Sequence, residues 1–144
     1  MYIIVLKGIL GERLTKDDIN AEIVRKGSYK GLRYFIIFSQ GAWYCAYVVI
    51  PKKSVFYKNT NWCDEPLSGL DVHGGVTFTD RHPFVNNRWC VGWDYAHYGD
   101  FNGPMIGLFH EDVHIWTPDE IENERKYAID QIVKIDNNEE SGTN

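Results

Sequence analysis

Apolar residues in this chain fall in short, dense runs separated by glycine, proline and asparagine, and the runs differ in period. Tyr2 to Leu6 is rich in β-branched residues and ends at Gly8, which predicts an opening strand. In "LTKDDINAEIVRKG", Thr15 precedes acidic Asp17 and Asp18, and basic Arg25 and Lys26 precede Gly27. That order predicts an N-capped helix with charges matched to its dipole and a glycine stop. "RYFIIFSQGAWYCAYVVIP" holds two β-prone runs broken by Ser-Gln-Gly and closed by Pro51, and so predicts a hairpin of buried strands at the centre of the core. "NTNWCDEPLSG" is full of turn formers and predicts an ordered loop that packs Trp62 over the sheet. "GVTFTD" and "RWCVGWD" predict two further antiparallel strands joined by "RHPFVNN".

The strongest periodic signal is "TPDEIENERKYAIDQIVKI". Thr117 is a capping residue, Pro118 suits the first helical position and Glu120 completes a capping box. Ile121, Ala128, Ile132 and Ile135 recur along one face, which is expected to enter the core. The expected architecture is one compact α+β domain over residues 1–137, a mainly antiparallel sheet covered by an N-terminal and a C-terminal helix, followed by a polar tail over residues 138–144.

Composition narrows the function classes. With 144 residues the chain suits one domain and one core. An aromatic fraction of 15% is high, which serves a core first and planar ligands second. The net charge is −5, and no basic patch is denser than "PKKSVFYK", so the electrostatic footprint of a long nucleic-acid binder is missing. Cys45, Cys63 and Cys90 are odd in number and lack C-x-x-C spacing, which disfavours a disulfide framework or a structural zinc and suits a reducing compartment. "MYIIVLKGIL" has neither a basic leader nor a small-residue cleavage site, and no apolar run reaches membrane-span length. The expectation is a soluble protein that stays inside the cell, with no membrane partner.

Two stretches carry the candidate chemistry. In "DVHGG", Asp71 and His73 are two apart, so an extended chain points both to one face, while Gly74 and Gly75 leave bare backbone for a ligand or another strand to approach. Asp71 as a turn cap with the glycines in a β-bulge is the structural alternative. In "WDYAHYGD", Asp94, His97 and Asp100 are three apart, so one turn at a strand exit brings them together, although Gly99 with either acid as a local cap also fits an ordinary turn. An aspartate can set the tautomer of a histidine and leave its second nitrogen for a metal or a proton. If the two flanking strands pair as a hairpin, His73 lies near Asp94 and His97. The His110 and His114 pair in "HEDVH" is a weaker metal candidate with no long helix to hold it, and no G-x-S-x-G elbow or phosphate-binding loop occurs.

"VHGGVTF" (72–78) and "GWDYAHYGD" (92–100), with "YVVIPKKSVFY" (47–57) and the C-terminal helix, resemble a family of small bacteriophage and prophage proteins that pair a VHGG-[LV]-T segment with G-[FW]-D-x-A-H-x-G-D. The resemblance covers the last two-thirds of the chain. It implies a viral accessory protein, and its polar motif positions are His73, Asp94, His97 and Asp100. Tyr95 stands where relatives often have cysteine, so a thiol nucleophile is not expected there.

The expected function is an anti-defence protein acting on a small nucleotide-like ligand. The first reading is a phosphoester hydrolase with His73, Asp94, His97 and Asp100 as catalytic groups, a divalent metal on His97 and Asp100, and ligand contacts from Asp71, Gly74, Gly75, Trp93 and Tyr95. The alternatives are a non-catalytic module that sequesters the ligand by stacking on Trp62, Trp89, Trp93 or Tyr95, and an inhibitor that covers a host enzyme. A homo-oligomer is compatible with each.

Overall fold

A computed structural model describes residues 20–97, 99–100 and 114–142. Within them five antiparallel strands form one sheet in the order β1-β2-β3-β5-β4: β1 (Ala21–Tyr29), β2 (Leu32–Ser39), β3 (Trp43–Val49), β4 (Phe78–His82) and β5 (Arg88–Asp94). One helix, α1 (Pro118–Gly142), packs on a face of the sheet. The expected α+β class and antiparallel sheet are therefore present, with a single covering helix among the described residues.

The expected hairpin is β2 and β3, joined where Gln40 and Gly41 both take left-handed backbone, the geometry that matches strand twist in a tight turn. Its strands read as continuous apolar runs because both faces are buried. Tyr34, Ile36, Ala46, Val48, Val91 and Trp93 face α1, while Phe35, Ile37, Cys45, Tyr47, Val49 and Cys90 form a second cluster. Burial pushes the Cys45 and Cys90 thiols up to about 12, so both act as small apolar groups.

The expected N-terminal helix is corrected over its second half. Ala21–Tyr29 is edge strand β1, paired with β2 and irregular between Ile23 and Arg25. Arg25, read as a cation at a helix C-terminus, instead meets Asp119 at 2.7 Å and Glu122 at 2.6 Å in the acidic first turns of α1. End signals without an apolar stripe were outweighed by the unpaired edge of β2, which supplies a full ladder. The first half of that helix, like the expected strand over residues 2–6, lies outside the described residues.

Helix α1 has the expected capping box: the Glu120 N–H donates to Thr117 Oγ1 at 3.3 Å, and Glu120 Oε1 accepts from the Thr117 N–H at 3.1 Å. Ile121, Ala128, Ile129 and Ile132 are fully buried, with Arg125 lying over the Tyr34 ring at 3.5 Å in the same row. The helix continues to Gly142, past the expected boundary at residue 137, since neither proline nor glycine interrupts residues 138–141. No helix among the described residues is long and apolar enough to cross a membrane.

The link from β3 to β4 is pinned to α1: Ser54 Oγ and the Val55 N–H both donate to Asp136 Oδ1. Trp62 does not cover the sheet, being 45% exposed; the aromatic that this loop buries is Phe56. Neutral polar neighbours let Trp62 stay in water, whereas Phe56 falls between Val55 and Tyr57 on the core cluster.

His82 is buried among Phe35, Tyr47, Phe78 and Phe84, and burial lowers its pKa to about 4. An unfolded histidine titrates near 6.5, so below that pH the unfolded chain binds a proton that the folded one refuses. Stability is thus complete above about pH 6.5 and falls toward about pH 4, by at most about 1.4 kcal/mol per pH unit from this group. His82→Asn keeps an acceptor for the Phe84 N–H, which His82 Nδ1 now accepts at 3.1 Å. Urea unfolding between those pH values is expected to show a flatter profile for His82→Asn than for the parent.

Candidate functional site

The first motif is held by α1. The Gln131 side-chain amide accepts from the Asp71 N–H at 2.8 Å and donates to the Asp71 carbonyl at 2.8 Å, pairing with the backbone as a neighbouring strand would. The chain then turns sharply over Val72 to Gly75, whose N–H donates to the Val72 carbonyl at 2.9 Å, and joins β5 through the Thr77 N–H and the Gly92 carbonyl. Asp71 and His73 both line one cavity, although a tight turn, not extended strand, follows them.

The second motif is a turn at the exit of β5, as the spacing predicts. Asp94 Oδ1 accepts from the Ala96 N–H at 3.1 Å, Asp100 Oδ2 accepts from the His97 N–H at 3.0 Å, and the Asp100 N–H returns to the His97 carbonyl at 2.9 Å. Pairing of Phe78 with Gly92 in the β4–β5 hairpin brings the two motifs together. The His73 and His97 rings are 5.6 Å apart, centre to centre.

The direct partner of His73 is Asp100: Nε2 and Oδ2 are 2.8 Å apart. Asp100 is 7% exposed, and Trp116 Nε1 donates to its other oxygen at 2.7 Å. Burial pushes the carboxyl pKa up, but hydrogen bonds from His73, Trp116 and the His97 main chain outweigh it, and the net shift is below the usual range. An ionised carboxylate only accepts, so Nε2 of His73 carries the hydrogen, and in a neutral ring the lone pair then lies on Nδ1. Nδ1 has no hydrogen-bond partner among the described residues. The ring lies flat on Tyr95, 4.7 Å away and 6° from parallel, with Trp116 edge-on at 4.8 Å.

His97 lies across the backbone of Gly74, where a Cβ would overlap the imidazole, and Gly74 has φ +69°. The bare backbone of the motif is thus approached by a histidine of the second motif. His97 Nε2 is 3.1 Å from Asp94 Oδ1, close enough to attract when protonated, but off the hydrogen-bond axis, so the buried nitrogen counts as unpaired. Gly75, at φ +82°, has open space beside it.

Two expectations are corrected by burial and by occupied lone pairs. Tyr95 is 1% exposed and stacked under the His73 ring, so it offers no face to a ligand, whereas Trp93, equally buried, borders the cavity beside His73. Tyr95 is a structural bridge, accepting from Trp93 Nε1 at 3.0 Å and donating to Glu124 Oε1 at 2.6 Å, which accounts for a tyrosine here. As a metal pair, His97 and Asp100 do not fit: three of the roughly four acceptor positions of Asp100 are filled, and His97 Nε2 faces Asp94. Among the described residues no group of three or more histidine, cysteine or acidic side chains is arranged to hold a metal ion. His110 lies outside the described residues, and His114 is tied to Glu120 at 2.7 Å.

Trp116, Glu124, Tyr127 and Gln131 belong to the site without any motif to flag them. Each stands on or just before α1, and only the fold brings that helix to the motifs. Asp71, His73, Gly74, Glu124 and Tyr127 surround a cavity of about 380 Å³, floored by Trp93. Tyr127, 55% exposed, is the aromatic that a ligand there can reach. No family model, curated protein or solved structure matches this chain.

Gly74→Ala and Gly75→Ala share the backbone cost of a left-handed alanine, about 1 kcal/mol, but only the first also strikes His97. Urea unfolding is expected to show the larger loss for Gly74→Ala. Equal losses would mean that His97 moves aside freely.

Proposed function

We propose that this protein acts on a small nucleotide-like ligand in the cavity beside His73, as a hydrolase that uses His73 as general base. The observation that carries this reading is the His73–Asp100 pair: a buried, ionised carboxylate orients one ring nitrogen and leaves the other to take a proton from water. Tyr127 supplies a stacking surface at the cavity wall. Asp71 and Glu124 on the same wall limit the charge that the reacting group brings, which favours a phosphodiester over a chain of phosphates. The resemblance of the paired motifs to the phage family links such a ligand to the nucleotide signals of host defence.

The role of His73 in turnover is to accept the proton of the attacking water at Nδ1 while Asp100 stabilises the imidazolium that forms. The leaving oxygen recovers that proton from the same ring, so the protein returns unchanged. Sequestration without turnover is the second reading, favoured by Asp100 spending its hydrogen bonds on Trp116 and the His97 main chain as a rigid scaffold does.

The test is chromatography of a panel of cyclic and linear dinucleotides and NAD-derived signals after incubation with the protein in EDTA, before and after heat denaturation. New products are expected, falling about 100-fold or more in His73→Gln with the unfolding midpoint retained. A peak that disappears and returns intact on heating replaces catalysis by sequestration. No change with any ligand removes both readings.

A further inference from the structure

We infer that the opposite end of the sheet carries a second site, for a small molecule bearing a diphosphate group, in a cavity walled by Arg33, Lys52, Arg81 and Arg88. The cavity, about 500 Å³, lies where β2, β3, β4 and β5 present the ends away from the His73 motifs. Arg88 opens β5 and Asp94 closes it, six residue steps away, which places this cavity about 20 Å from the His73 site. It is a separate proposal, and neither site depends on the other.

The electrostatics single it out. The chain carries 15 lysines and arginines against 20 acids, yet four of the cations meet here with no carboxylate among the described lining residues. None of the four has an acidic partner among the described residues, whereas Arg25, Lys30 and Arg125 all do. Like charges gathered in an acidic protein repel one another unless an anion joins them. Arginine forks suit phosphate oxygens, and four cations exceed what one phosphate neutralises.

The walls add shape and a waiting donor. Arg81 Nη1 donates to the Asn87 carbonyl at 3.2 Å, and Asn86 and Asn87 take left-handed backbone, so the β4–β5 link holds its cations in place. Trp89, 8% exposed, lines the cavity, and its buried indole N–H has no acceptor among the described residues. Tyr57 stands edge-on to Trp89 at 6.2 Å and offers apolar surface to a ring. A cavity of this volume fits a mononucleotide, and confinement of the charge to one cavity, without a stripe along the surface, favours a small molecule over a nucleic-acid strand.

Isothermal titration of the full chain with pyrophosphate, ADP and adenosine tests this, with Arg33→Gln and Arg88→Gln as variants whose side chains are exposed. Saturable binding of pyrophosphate and ADP is expected, weakened about tenfold or more by either variant and by raising salt from about 50 to about 300 mM. Equal affinity for both ligands would make free diphosphate the recognised group, and tighter ADP would make it a nucleoside diphosphate; both support the site. Binding of adenosine as tight as ADP, no binding of pyrophosphate or ADP up to about 1 mM, affinity untouched by both variants, or a single-stranded oligonucleotide binding more tightly than either would overturn it.

Discussion

The seam between α1 and the sheet is the constraint on which the remaining structure depends. Ile121, Ala128, Ile129 and Ile132 lock the helix against Ile36, Val48, Val91 and Trp93, and that fixes its axis and rotation. Its polar flanks are then aimed. Glu122 reaches Arg25 and Tyr34, Glu124 reaches Tyr95, Gln131 clasps the backbone of Asp71, and Asp136 caps the loop at Ser54. A rotated helix would lose these contacts together.

Asp100 is the second fixed point, where the scaffold and the His73 ring share one carboxylate. A buried charge must be paired, and here three donors from three segments of chain converge on it. Its parallel bridge with His114 carries Trp116 into range, so the segment leading into α1 closes the site. The same hydrogen bonds that satisfy Asp100 set the tautomer of His73, and they fill three of the carboxylate's roughly four acceptor positions. The two ends of the sheet therefore differ in character: carboxylates and histidines at one, and at the other cations without an acidic partner among the described residues.

Local signals were legible where the physics is local. The capping box at Thr117, the hairpin broken at Ser39 to Gly41, and the turn joining Asp94 to Asp100 each involve residues a few positions apart, and each forms as read. The N-terminal helix failed over Ala21 to Gly27 because its signals were charges, which find partners on α1 as readily as on a helix dipole. Tyr95 was read as a ligand surface, since composition cannot tell a buried aromatic from an accessible one.

The sequence alone determined that two motifs rich in histidine, aspartate and glycine would flank a hairpin, and thereby which four polar residues come near one another. Tertiary structure decided the roles: that Asp100 and not Asp94 pairs with His73, that Gly74 is bare for the sake of His97, and that Trp116 and Tyr127 complete the site. It also gathered Arg33, Lys52, Arg81 and Arg88, spread over 56 positions of chain from 33 to 88, into one cavity. Spacing along a strand or turn is set by backbone geometry, whereas the approach of distant segments is set by which faces must leave water together.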